Sequence, residues 1–232
     1  MTNTMNHPDD SVTTIIEPSR KQSRKKFLIN AGRFSLLSVV AVTAACKKSS
    51  SNGGLDLGSG DIGILNYAYA LEQLEAAFYI KVMASPYSSM PAAEASYLTD
   101  IRDHEVAHRE FFKAALGSNA ISALEVNFST IDFTSRISVL ATAKAFEDLG
   151  VTAYNGAGQL LQSADYLLLA GKIVSVEARH AALIRDLISP GSFADNTALD
   201  ANASDMARSP ADVLAIAGAY ITTKIDASHL PS

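Results

Sequence analysis

Four stretches, each more than twenty residues long, run without a helix breaker and repeat their apolar positions every three to four residues. That periodicity restricts the chain to packed helices. The first stretch takes Asp61 as its N-cap and stops before Pro86. Ser89 and Pro91 open the second, PAAEASYLTDIRDHEVAHREFFKAAL, which ends at Gly117. Thr134 or Ser135 caps the third, which runs to about Asn155. The fourth, ADYLLLAGKIVSVEARHAALIRDLI, follows Ser163 and ends at Pro190-Gly191. Proline near the start and glycine or proline past the end are the ordinary punctuation of helices. Residues 118–133 break the pattern, alternating β-branched and aromatic side chains in EVNFSTIDF, and form a long link. A shorter helix over ADVLAIAGAYITTKI begins at Ser209-Pro210. The predicted fold is all-α: a four-helix bundle of two antiparallel hairpins joined by a long crossover, plus a short C-terminal helix. The bundle is expected over 61–190, with a loop and the short helix over 191–232.

Each long run has a polar face, predicted to meet solvent: Asn66, Gln73 and Lys81 in the first, Arg102, Glu110 and Lys113 in the second, Lys144, Asp148 and Asn155 in the third. With 232 residues, 48% of them hydrophobic, one substantial core is affordable and two domains are not required. Residues 1–45 hold six Lys/Arg against three Asp/Glu, so the remainder is acidic, with 13 against 21. No basic stretch follows the N-terminal segment, which excludes the positive footprint that a nucleic-acid partner requires.

The N-terminal segment reads as an address. RKQSRKK at 20–26 supplies a basic region, and the apolar run LLSVVAVTAA ends directly at Cys46. Ten residues are about half of the length that spans a bilayer, so 1–45 is predicted to be a signal peptide. Ala44-Ala45-Cys46 resembles a bacterial lipobox, although Thr43 stands where leucine is usual. Cys46 would then be lipidated and would anchor the chain at the periplasmic side of a bacterial cell envelope. Ser23-Arg24-Lys25-Lys26-Phe27-Leu28 resembles a twin-arginine signal with lysine in place of the second arginine. The single cysteine leaves no intrachain disulfide and no thiolate zinc site. Residues 46–60, KKSSSNGGLDLGSG after the cysteine, read as a flexible tether.

The informative residues are ionisable groups on apolar faces, because an unpaired carboxylate in a core costs several kcal/mol, on the order of 3–5, unless something compensates it. At 100° per residue, Glu72 falls among Leu65, Ala68, Ala76, Tyr79 and Met83, and Glu147 among Leu140, Ala143, Val151 and Tyr154. The second run points Glu105 and His108 inward with Leu98, Ile101 and Phe112. The fourth points Glu177 and His180 inward beside Ile173 and Ile184. A Glu and a His three residues apart share one helix face and can reach one ion. Nine Glu and five His placed at random give about 0.2 such pairs in this length, so two pairs are informative. Carboxylate and imidazole donors without thiolate suit iron or manganese more than a soft-ligand metal, and the ligand number suits two ions. The pattern also repeats. Glu72 and Glu147 are each followed seven residues later by a tyrosine, Tyr79 and Tyr154, and each precedes its Glu-x-x-His by 30 to 33 residues.

At these residues, over roughly 61–188, the chain resembles the ferritin-like superfamily, which includes bacterioferritins, rubrerythrins and manganese catalases, and especially its exported single-domain branch of ferritin-like or desiccation-related proteins. The resemblance implies a dinuclear centre with Glu72, Glu105 and His108 from one hairpin and Glu147, Glu177 and His180 from the other. Glu105 and Glu177 would bridge, and Tyr79 and Tyr154 would lie beside the metals.

Two side chains leave alternatives open. Glu75 also faces inward, but its counterpart in the repeat is Gly150, which favours Glu72 as the ligand. His104-Glu105-Val106-Ala107-His108 reads as H-E-x-x-H, a zinc-peptidase motif, yet the counterpart of His104 is Val176, which favours a core or supporting role for His104. The expected function is redox chemistry with dioxygen or peroxide, either Fe(II) oxidation or peroxide removal. The alternative is a non-catalytic envelope or stress-protection protein, with or without metal. A homodimer is compatible with the sequence.

Overall fold

A computed structural model describes residues 53–232. The signal peptide and Cys46 lie outside them. The described residues form, in order, β1 (Leu55–Asp56), α1 (Gly60–Ala84), α2 (Ala92–Leu116), a 3-10 turn at Gly117–Asn119, α3 (Arg136–Gly158), α4 (Ala164–Ile188), α5 (Pro210–Ala217) and β2 (Ile225–Asp226). The hairpins α1–α2 and α3–α4 pack within themselves, and α1 meets α3 across the bundle, as the four-run pattern predicts.

Local chemistry sets most borders. Ser135, Ser163 and Ser209 cap α3, α4 and α5 by accepting from the backbone N–H three residues on. Helix α2 follows Pro91 and closes at Gly117, whose N–H donates to the Lys113 carbonyl. Asp61 is not the N-cap of α1. Ser59 holds that position, and the Asp61 carboxylate accepts from the N–H groups of Gln162 and Ser163 at 2.8 and 2.9 Å, tying α1 to the turn between α3 and α4.

Four further expectations need correction. Helix α3 continues through Gly156 and Gly158 rather than ending near Asn155. There the close approach of another backbone replaces the usual cost of glycine in a helix, because a Cβ on Gly156 would lie 1.7 Å from the Arg208 carbonyl oxygen. Helix α5 ends at Ala217, well short of residue 225, because the chain beyond it turns to pair with other segments. Thr222 donates to the Glu125 carbonyl, and Asn127 donates to the Tyr220 carbonyl. The flexible tether expected over 46–60 is ordered near its end: β1 pairs in parallel with β2, and Leu57 is wholly buried.

The fourth correction concerns α1. Its predicted polar face is covered, and Asn66 and Gln73 are 2% and 8% exposed. The crossover lies over them. Its backbone needs partners once out of water, and these two amides supply them. Asn66 donates to the carbonyls of Leu57 and Asn119 and accepts from Ile121 N–H, while the Gln73 oxygen accepts from Leu124 N–H. Lys81 alone of that face stays exposed. Helix α1 is therefore a central helix, and its Phe78 and Tyr79 pack the core with Phe146 of α3. No described helix is long and apolar enough to cross a membrane.

Candidate metal centre

Midway along the bundle each of the four long helices contributes an inward carboxylate: Glu72 from α1, Glu105 from α2, Glu147 from α3 and Glu177 from α4. All four are 0% exposed. One turn beyond Glu105 and Glu177 stand His108 and His180, and both present Nδ1 to the carboxylates. His108 Nδ1 lies 2.9 Å from Glu177, 3.5 Å from Glu72 and 3.8 Å from Glu105. His180 Nδ1 lies 2.9 Å from Glu105, 3.3 Å from Glu147 and 3.9 Å from Glu177. The two arrays mirror each other, as the internal repeat requires.

Two groups of donor atoms result, each within 4.8 Å: Glu72, Glu105, His108 and Glu177, and Glu105, Glu147, Glu177 and His180. Glu105 and Glu177 belong to both. The six residues marked by the wrong-face pattern are therefore brought together, and Glu105 and Glu177 are the two carboxylates common to both groups.

The tyrosines divide the labour of the lone glutamates. Tyr79 on α1 donates to Glu147 Oε1 at 2.5 Å, and Tyr154 on α3 donates to Glu72 Oε1, each reaching across to the other hairpin. Each lone glutamate thus has one oxygen held and one turned inward. The inward oxygens of Glu72 and Glu147, both oxygens of Glu105 and of Glu177, and Nδ1 of both histidines are buried without a hydrogen bond of acceptable geometry. Eight such atoms converging on one volume run against the rule that buried polar groups are paired, and together they form a donor set that could hold metal ions.

Electrostatics agree. Burial pushes Glu177 well above the ordinary carboxylate range, helped by Glu105 beside it, and raises Glu147 in the same direction. Burial also lifts Glu72 to about 7. For Glu105 the burial effect is outweighed by His108 and His180, and its pKa falls to about 2. The histidines resist their own burial because carboxylates surround them: Glu105 and Glu147 bring His180 up to about 10, and Glu105, Glu177 and Glu72 raise His108 further. Without metal, protons neutralise the cluster. Four ionised carboxylates would balance two divalent cations with both imidazoles neutral, so the donor set fits a dinuclear centre.

Glu75 is buried at 3% exposure but belongs to neither group. Burial, followed by repulsion from Glu177, keeps it protonated well above the ordinary range. Its Oε1 lies 3.1 Å from where a Cβ on Gly150 would sit. The break in the repeat is thus steric: position 150 lacks a side chain where Glu75 needs room.

His104 also stands outside both groups. Its Nδ1 meets Nε2 of His180 at 2.9 Å, with the rings 11° from parallel. It is an outward-facing support of His180, neither a core residue nor a second histidine paired with His108, so the H-E-x-x-H segment does not build a zinc-peptidase site. The contact with His180 was invisible to sequence periodicity because it joins α2 to α4. Outside the centre, His104, His108 and His180 line a groove of about 280 Å³ between α2 and α4, with Tyr97, Asp100 and Arg179 at its margins.

Among comparisons with known proteins, the sequence model of a family described as ferritin-like domain matches residues 60–190, more than half of the chain. No curated protein matches it.

Proposed function

The chain belongs to the ferritin-like domain family, and from that premise we propose that it is an exported protein holding two metal ions, iron first and manganese second, for redox chemistry with dioxygen or peroxide. The observation that carries this reading is the set of eight buried, inward donor atoms that find no hydrogen bond of acceptable geometry. Glu72 and His108 would serve one ion and Glu147 and His180 the other, with Glu105 and Glu177 shared. Oxygen and nitrogen donors without thiolate favour iron or manganese over softer alternatives. Such an ion pair supplies the capacity to exchange electrons with a small oxidant.

The protein's own contribution is to hold and exclude. Rigid helices fix all six side chains, and the hydroxyls of Tyr79 and Tyr154 hold the outer oxygens of Glu147 and Glu72. Both phenols stay protonated, because burial and then the neighbouring carboxylates push their pKa values upward. The groove between α2 and α4 is the face on which a small oxidant meets the histidines. The sequence of residues 1–46 supports export and lipid anchoring at Cys46 on the periplasmic side of a bacterial envelope.

Metal analysis of the full chain, expressed with iron and manganese available, tests the reading beside a Glu105→Ala/Glu177→Ala variant. About two ions per chain are expected, lost in the variant, with consumption of dioxygen or peroxide by the loaded protein. A well-folded protein that takes up no metal refutes it. Metal uptake without turnover would leave a non-catalytic metal protein of the envelope.

A further inference from the structure

The two halves of the centre are alike in their carboxylates and tyrosines and unlike in one neighbour. His180 Nδ1 faces Glu105 and Glu147, so its Nε2 points away from the centre, and there it meets His104 Nδ1 at 2.9 Å. With Nδ1 committed to the centre, the His180 proton sits on Nε2 and donates, and His104 accepts. That requires His104 to be neutral.

His108 is the counterpart of His180 in the repeat, and the counterpart of His104 is Val176. Valine has no polar atom, and among the described residues no side chain accepts a hydrogen bond from His108 Nε2. Val176 and His108 instead line the open groove together. One imidazole is therefore oriented and made more basic by a hydrogen bond from behind, and the other is not.

We propose that His104 is a positioning residue that makes the two metal positions unequal, strengthening the position served by His180 over the one served by His108. The proposal rests on the dinuclear reading above. Hydrogen-bond partners on the outer nitrogen of a metal-bound histidine fix its tautomer and ring angle and raise its basicity, and removing one typically weakens metal binding about 10- to 100-fold. The stronger position would retain its ion at metal concentrations that empty the weaker one.

The test uses the full chain, stripped of metal and titrated with Co(II), which resists oxidation in this donor set and reports its ligands in visible absorption. Wild-type protein should bind two ions with separated constants. His104→Leu removes the acceptor and should weaken one binding step about 10- to 100-fold while leaving the other within about threefold. His104→Gln keeps an acceptor oxygen and should restore most of the loss. In the Co(II)-loaded protein the shifted N–H resonance of one imidazole should resist solvent exchange, and that protection should vanish in His104→Leu. Two ions bound to His104→Leu with unchanged constants, or an equal loss at both steps that His104→Gln does not repair, would overturn the proposal alone. No Co(II) bound by wild-type protein would overturn the dinuclear reading along with it.

Discussion

Raising the pH of the metal-free protein from 7 to 8 should destabilise it steeply, and bound metal should remove that dependence. His108, His180 and Glu177 all have folded-state pKa values above their ordinary ones of 6.5 and 4.5, His180 near 10 and the other two strongly raised. A group raised on folding contributes its full stability below its unfolded pKa and loses it as pH climbs through the folded value. Between pH 7 and 8 the unfolded chain has shed most of these protons and the folded chain keeps them. Each proton held in excess by the native state gives a slope of about 1.4 kcal/mol per pH unit, so a single one yields that figure and each further one, that of Glu75 included, adds to it. At about 2–4 °C per kcal/mol for a domain of this size, Tm should fall by at least about 3 °C over that unit. Glu105, lowered to about 2, acts in the opposite sense but only below its unfolded value of 4.5. Thermal unfolding of chelator-treated full chain, followed by circular dichroism at pH 6, 7, 8 and 9 with and without two equivalents of Mn(II), measures both slopes. Bound metal displaces the protons in advance, so the loaded protein should be flat or rise over the same range. A chelated protein whose Tm is constant or climbs from pH 7 to 8 would refute the electrostatic account of the cluster.

Two substitutions probe how the centre is framed. Asn66→Ala leaves the carbonyls of Leu57 and Asn119 and the N–H of Ile121 without their partner, and at about 1 kcal/mol per bond it should cost about 3 kcal/mol in urea unfolding. Gly156→Ala sets a methyl group against the Arg208 backbone, and should cost about 1–3 kcal/mol and speed proteolysis after Arg208, whose N–H otherwise bonds the Thr152 carbonyl at 3.0 Å.

The six donor residues were legible because helical periodicity is strict: a carboxylate or imidazole on an apolar face must find a partner, and position alone placed Glu72, Glu105, His108, Glu147, Glu177 and His180 on such faces. The same rule misplaced Asn66 and Gln73. Their face looks solvent-directed along one helix, and only the crossover, arriving from more than fifty residues away, turns them into buried partners. Asp61 was misread for a related reason, since a first-turn carboxylate resembles a cap until the turn it binds across the bundle is known. Strands of two residues carry no periodicity, so β1 and β2 left no trace in the pattern, and the C-terminal apolar residues read as more helix. Gly150 was visible as a gap in the repeat, but that the gap houses the Glu75 carboxyl is a matter of side-chain volume between α1 and α3.

The parallel pairing of Leu55–Asp56 with Ile225–Asp226 brings the beginning and the end of the described chain to one place. It also sets the load path. A pull on the segment before Gly53 is taken up first by the short ladder and by Leu57, and through them by the C-terminal segment, ahead of the first turn of α1. The four helices that carry the carboxylates are mechanically downstream of that clasp, and a chain held by its N-terminal end bears strain there before any reaches the centre.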